Sequence, residues 1–364
     1  MTPTKQKTAA TKTDTTGWDW EIHDGLIRLR EWGTDRLHEL RLDGPAELVL
    51  GADDDCDIKV IDTARRVSRK HAKLVRSEGT WAIVDLDSKN GTRVDGSVRE
   101  RATLDAGLEI GIGGVTLVAE SARSVALRGF LSRILGWTSE RIEAVDLGLR
   151  AIRMAATRRA PLVLCGEADL VSTALAIHRI ALGSDRPFVA ADPRRKDATE
   201  SVRAVQSYQS GAAALDAARG GSLCVLAARL PRDFDDVRNA LLGPAAPAQL
   251  IVCATKRPAR NAFSSVPIEV PSLASRAPEL ARIIEEYASD AMRDLNAPRG
   301  TFRPVDREWI SEHASTTLSD IEKAATRLVA LRVNGYNVTR AAVQLGMAHV
   351  SLARWIGRRR LPPH

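Results

Sequence analysis

Aromatic residues make up only 4% of the 364-residue chain, and cysteine and methionine number four each. The cysteines, Cys56, Cys165, Cys224 and Cys253, lie far apart and form no C-x-x-C pair. Such spacing argues against a disulfide scaffold or a metal site and predicts buried free thiols in a cytoplasmic protein. No apolar run approaches the ~20 residues of a membrane span, and the opening stretch MTPTKQKTAATKTDTTG has no apolar core of a secretion signal. The expectation is a protein without membrane association. Residues 1–18, rich in Thr and Lys, read as a disordered tail.

What is present is globular material: 44% hydrophobic and 27% charged residues, enough for two to three domains. The net charge of +7 permits an anionic partner without demanding one. An arginine-rich composition accounts for it equally well unless the charge clusters.

From Trp18 onward, short alternating runs such as Leu26–Arg30, Ile58–Val60, His71–Val75 and Val115–Val118 are separated by Asp-Gly, Gly-Pro, Asn-Gly and Gly-Gly turns. This predicts an all-β sandwich over 19–120. Three signatures stand in order: Leu50-Gly51 ahead of Asp55–Ile58, Ser68-Arg69-Lys70-His71, and Ser88-Lys89-Asn90-Gly91-Thr92. Together they resemble a forkhead-associated (FHA) domain, a sandwich that binds phosphothreonine peptides at its loop end. The resemblance implies that Ser68 donates to the phosphate with Arg69 beside it. Asn90 would hold the peptide backbone and Lys89 would add charge. Gly51, His71 and Gly91 would be architectural. The family carries Arg directly after the first Gly as a phosphate contact; here Ala52 stands there, followed by Asp53-Asp54-Asp55. Arg65 and Arg66 could compensate, and a phospho-independent docking domain is the alternative.

Residues 121–139 read as a linker with helical character. Over 140–300 helical and strand runs alternate, which predicts an α/β domain with a parallel sheet. A helix over Arg141–Thr157 precedes a buried strand, Pro161–Cys165, a turn and an amphipathic helix. Wording such as Gly166-Glu167, Ala176-Ile177-His178, Arg186–Val189, Gly220–Leu223 and Ala254–Arg257 resembles the AAA+ domain of sigma-54-dependent enhancer-binding activators. The working parts are missing. The turn Gly166-Glu167-Ala168-Asp169-Leu170-Val171-Ser172-Thr173 has one Gly and no Lys to reach a phosphate. Gly166, Glu167, Asp169, Ser172 and Thr173 thus mark a degenerate nucleotide loop. Leu226-Ala227-Ala228 replaces the Mg²⁺ carboxylates, the sigma-contacting loop has no counterpart in Ala198–Ala218, and the arginine-finger segment shrinks to Pro258–Ile268. Phosphoryl transfer rests on positioning and charge neutralisation, so this core is expected to lack ATP hydrolysis and to need no cofactor. His178 reads as a surface or packing residue.

Residues 301–364 predict an all-α domain. Leu318–Val333 is amphipathic at helical spacing. Asn337 caps a helix ending near Leu345, Gly346 turns, and a second helix runs over about His349–Arg358, with Leu345, Met347, Val350 in part, Leu352 and Ile356 as shared core. The arrangement resembles the Fis-type helix-turn-helix that closes enhancer-binding activators. It implies His349, Ser351 and Arg354 at base edges and Thr339, Arg340 and Arg358 at phosphates.

Three parts in this order suggest a cytoplasmic bacterial regulator of transcription and not an enzyme. The expected partners are a phosphothreonine protein or peptide, double-stranded DNA, RNA polymerase or an active enhancer-binding relative, and a second copy in a homodimer or higher oligomer. A phospho-dependent scaffold without DNA binding, or a core that still binds nucleotide, are the alternatives.

Overall fold

The computed structural model describes residues 25–41, 43–158, 160–167, 169–194, 205–242, 245–258, 263 and 265–362. The tail expected over 1–18 lies outside the described residues. The N-terminal part is built from β1 (Leu26–Glu31), β2 (Leu37–Glu39), β3 (Glu47–Gly51), β4 (Ile58–Lys59), β5 (Ala72–Ser77), β6 (Thr80–Asp85), β7 (Thr92–Val94), β8 (Ser97–Val98), β9 (Arg101–Thr103), β10 (Glu109–Ile112) and β11 (Val115–Ser121). They form two sheets, ordered β2-β1-β11-β10-β7-β8 and β4-β3-β5-β6-β9. Strand pairs are antiparallel except the short β3–β4 pair. Alternation puts Leu29, Leu50, Leu74, Trp81, Ile83, Ile110, Ile112 and Leu117 between the sheets, each nearly or fully buried.

Residues 121–139, read as a linker, mostly form a packed helix, α1 (Ala122–Leu135). Ser121 caps it by accepting from Ser124 N, and Leu127, Leu131, Ile134 and Leu135 are buried in the core of the next domain. Their four-, three- and one-residue spacing makes one apolar stripe, which a free linker would not need. α2 (Ser139–Arg158) packs beside it.

The α/β domain follows as β12 (Leu162–Cys165), α3 (Leu170–Leu182), β13 (Phe188–Ala191), β14 (Gln206–Tyr208), α4 (Gly211–Ala217), β15 (Ser222–Leu226), α5 (Phe234–Leu241), β16 (Gln249–Ala254) and β17 (Ile268–Glu269). The sheet is parallel, in the order β14-β13-β15-β16-β12-β17. Every residue of β16 and of β12 is buried, as a central parallel strand covered on both faces requires. The four cysteines are free and buried.

The C-terminal part is helical: α6 (Leu280–Asp294), α7 (Pro304–His313), α8 (Leu318–Val333), α9 (Val338–Gln344) and α10 (His349–Gly357). Ile283, Ile284, Ile310, Ile321, Leu328, Leu345 and Leu352 share one core there. The buried Asp306 accepts from Arg332 Nε and Nη2, both at 2.7 Å, and ties α7 to α8.

The sandwich and α2 meet through a buried charge network. Asp146 of α2 is fully enclosed and accepts from Arg30, Arg128 and the Gly33 amide, the last at 2.8 Å. Arg30 in turn donates to Glu120 at 2.9 Å, and Arg28 donates to the same carboxylate at 2.7 Å. Arg153 reaches Asp95, and Arg150 pairs with Glu109 while lying over the Trp32 ring.

Candidate functional site

The loop end of the sandwich gathers the residues singled out in the sequence. Gly51 ends β3 directly beneath the Ser68 loop. A Cβ there would lie 2.0 Å from the Arg69 carbonyl oxygen, so only glycine lets the loop rest on the strand. The loop is then stitched down: Ala52 N donates to Ser68 O at 3.0 Å, Asp53 N to Arg69 O at 3.1 Å and His71 N to Leu50 O at 2.8 Å.

His71 is fully buried and joins the two functional loops. Its Nδ1 accepts from Ser68 N at 3.1 Å, and its Nε2 faces the Gly91 carbonyl at 3.4 Å. Burial pushes the imidazole below the ordinary histidine range, against the opposing pull of the Gly91 carbonyl and Asp85. The neutral ring with its proton on Nε2 satisfies both contacts.

The second loop is held from within. Asp85 accepts from Thr92 Oγ1 at 2.6 Å, Ser88 Oγ at 2.7 Å and Ser88 N at 2.9 Å. Partial burial raises this carboxyl, but the three donors outweigh it and hold the pKa below the usual range. Gly91 takes φ +69, a left-handed turn that suits glycine. Two cross-loop bonds then close the site: Lys89 N donates to Ser68 Oγ at 3.1 Å, and Asn90 Nδ2 donates to Arg66 O at 2.7 Å. Because Ser68 Oγ accepts from the backbone, its hydroxyl hydrogen is available to donate outward.

Arg65, Arg66, Arg69, Lys70, Lys89 and Asn90 are all exposed around this point. Arg66 is anchored at its amide by Asp62 at 2.9 Å, while its guanidinium stays exposed with Asp62 at 3.6 Å. The acidic run after Gly51 is partly occupied elsewhere. Asp54 pairs with Lys59, and Asp57, just beyond the run, accepts from Val49 N at 2.7 Å. The result is a rigid, cationic, donor-rich rim suited to a phosphate dianion.

The turn after β12 has a different character. Gly166 takes φ +146, and a Cβ on it would lie 2.4 Å from Val270 O, so the chain leaving β17 closes over the turn. Asp169 caps α3: its carboxylate accepts from Ser172 N at 3.4 Å and Ser172 Oγ at 2.8 Å, and its carbonyl accepts from Thr173 Oγ1 at 3.2 Å. An aspartate carboxylate therefore occupies the helix N-terminus that a phosphate would use. Glu167, exposed beside it, adds a second negative charge. His178 is buried, with Nδ1 at 2.8 Å from Ser222 Oγ and Nε2 at 3.0 Å from Arg186 O, a packing role. Among the described residues, no group of three or more His, Cys, Asp or Glu side chains is placed to hold a metal. None of the described helices is long and apolar enough to cross a membrane.

At the C-terminus Asn337 caps α9, accepting from Arg340 N at 3.0 Å, and Gly346 makes the turn at φ +57. Thr339, Arg340, His349, Ser351, Arg354 and Arg358 are all exposed on this helix pair. Val350, read as part of the shared core, is 62% exposed. Trp355 fills the core instead, edge-on to Trp309 at 5.9 Å, because its position lies three residues after the buried Leu352. Arg359 lies over the Trp355 ring at 5.3 Å and Arg360 O accepts from Trp309 Nε1, so the basic end of the chain is tied to α7 and α10.

Comparison with known proteins bears on the sandwich. Residues 48–113 match the family model described as FHA domain. The oxoglutarate dehydrogenase inhibitor of Corynebacterium diphtheriae is 42% identical over 52 residues, 14% of this chain and 36% of that protein. The chain thus spans about a third of that relative's length. A solved structure of Mycobacterium tuberculosis EmbR in complex with a low-affinity phosphopeptide is 28% identical over 27% of this chain and 24% of that one, with a TM-score of 0.24. Another, from a study of phosphothreonine-dependent FHA domain interactions, is 26% identical over 26% of this chain and 93% of that one, with a TM-score of 0.23. With three signature loops, the His71 bridge and the family match in agreement, the N-terminal sandwich is an FHA domain.

Proposed function

We propose that this chain is a transcriptional regulator that reads phosphothreonine on a partner protein or peptide and binds double-stranded DNA through α9 and α10. The observation that carries the reading is the pair of cross-loop bonds, Lys89 N to Ser68 Oγ and Asn90 Nδ2 to Arg66 O, held in place by buried His71. They present a free hydroxyl hydrogen and several guanidinium and ammonium groups at one point. Arg65, Arg66, Arg69 and Lys89 stand in for the arginine that Ala52 replaces.

The DNA reading is supported by six exposed polar and basic residues on a helix–turn–helix pair whose first helix is capped by Asn337. The central domain fits an AAA+-like scaffold that does not hydrolyse ATP, since Asp169 neutralises its own helix end where phosphate would bind. Such a chain would act in the cytoplasm as a dimer or higher oligomer, recruiting RNA polymerase or joining an active enhancer-binding relative. A phospho-dependent scaffold is the second reading, favoured if the exposed face of α10 serves packing alone.

The test is an array of phosphothreonine peptides and their unphosphorylated twins, probed with the full chain and with Ser68→Ala. Selective capture of phosphorylated members, reduced tenfold or more in the variant, supports the reading; equal capture of both forms defeats it.

A further inference from the structure

From Lys323 to His364 the sequence holds no Asp or Glu. The positive charge of the chain therefore does cluster, on the helices that close it. Part of that charge is used inside the fold. Arg332 is tied to Asp306, and Arg327 and Arg359 lie over the Trp355 ring at 5.1 and 5.3 Å. Arg340, Arg354 and Arg358 are exposed, and none of them forms an ion pair with a described residue. A cationic face without carboxylates suits a polyanion.

An apolar side chain stands in the middle of that face. Along α10 successive side chains turn by about 100°. Leu352, Trp355 and Ile356 pack into the helical core, and Val350 lies about 165° round from the middle of that stripe. It holds the most outward position of the helix and is 62% exposed. Arg354 follows one turn later on the same side, about 40° away. Ala353 and Gly357, also one turn on, are short, so the helix backbone can approach a surface closely. A helix fits the major groove of a DNA duplex, and the apolar group exposed on base edges there is the 5-methyl of thymine.

We propose that Val350 selects a thymine in the major groove, an inference that rests on the DNA reading above. Its γ-methyl groups pack on the thymine 5-methyl, which neither cytosine nor the purines carry. Arg354 faces O6 and N7 of a guanine on the same groove floor. Four residues of helix rise about 6 Å, so that guanine lies within about two base pairs of the thymine at ~3.4 Å per step. Arg340 and Arg358 face phosphates on either side. The contact with thymine thus supplies sequence selection, while the arginines supply most of the affinity.

The test uses the full chain and short duplexes taken from its genomic footprints, with each thymine replaced in turn by deoxyuridine. The exchange removes the 5-methyl and leaves the hydrogen bonds of the base pair. At one thymine it should weaken binding about fourfold in fluorescence anisotropy, the worth of one buried methyl group. Val350→Ala should lose a similar factor on the parent duplex and then ignore that exchange, as two groups in contact do not add. Its melting temperature should not move, because the side chain is exposed. Binding that ignores every deoxyuridine, or that responds equally in the parent and in Val350→Ala, overturns the thymine contact while DNA binding stands. An unchanged deoxyuridine profile in a variant whose oligomeric state shifts in sedimentation overturns it too, and gives the face to a second copy. A chain that leaves no footprint and retards no duplex fails the DNA reading itself.

Discussion

Replacing His71 with alanine removes a buried side chain that bridges both phosphate-site loops. His71 is fully buried, so the change deletes an imidazole from the sandwich core and leaves a void behind it. It also deletes the bonds to Ser68 N and Gly91 O. Each such bond is worth about 1 kcal/mol, and the void adds a comparable amount. The FHA domain should lose about 2–4 kcal/mol. Phosphopeptide affinity should fall by about tenfold or more, because Ser68 and Asn90 lose their common support. The pH profile gives a second readout. Burial lowers the folded-state pKa, so the unfolded chain takes up the proton first on acidification. The stabilising contribution of neutral His71 is full above the unfolded value of about 6.5 and is lost as pH falls through the folded value. Calorimetric titration with a phosphothreonine peptide, and urea unfolding at pH 7.5 and 5.5, measure both effects. The variant should show a smaller loss of stability between those pH values than the parent. Unchanged affinity together with parallel pH profiles would refute the bridge.

Three further outcomes follow from the geometry. Gly51→Ala places a methyl group 2.0 Å from Arg69 O, so the loop must move; circular-dichroism melts should show a destabilised FHA domain and titration a weakened phosphopeptide complex. Asp146→Ala leaves buried Arg30 and half-buried Arg128 without their shared carboxylate and should cost about 3–5 kcal/mol. In urea the FHA domain should then unfold apart from the α/β domain, whereas a single unshifted transition would deny the network its role. Mg-ATP turnover should stay at background in the full chain, and Asp169→Ala should destabilise α3 by about 1 kcal/mol without creating turnover, as read by phosphate release and thermal melts.

The parts of this molecule legible in the sequence are those written in local patterns. The Ser68–His71 and Asn90–Gly91 pieces announce an FHA loop end because tight turns restrict residue choice. The cap at Asn337 sits directly before the helix it begins. The alternation of strands and helices yields the parallel sheet, although the short β14 and β17 carry too few residues to show a period. What stayed hidden depends on distance along the chain. Arg30 and Asp146 are 116 residues apart, and no local rule joins them. α1 passed for a linker because its polar residues surround a narrow apolar stripe. Val350 turned outward and Trp355, unassigned in the sequence, turned inward because the exact rotation of a nine-residue helix decides which side chain faces the core.

The regulator account stands or falls on whether the chain joins its phosphate reader to DNA. Genomic footprinting with the full chain measures this most directly. The account predicts discrete protected sites that disappear with Arg354→Ala and weaken steeply as salt is raised. A chain that protects no site, or protects the same sites with and without Arg354, would contradict it.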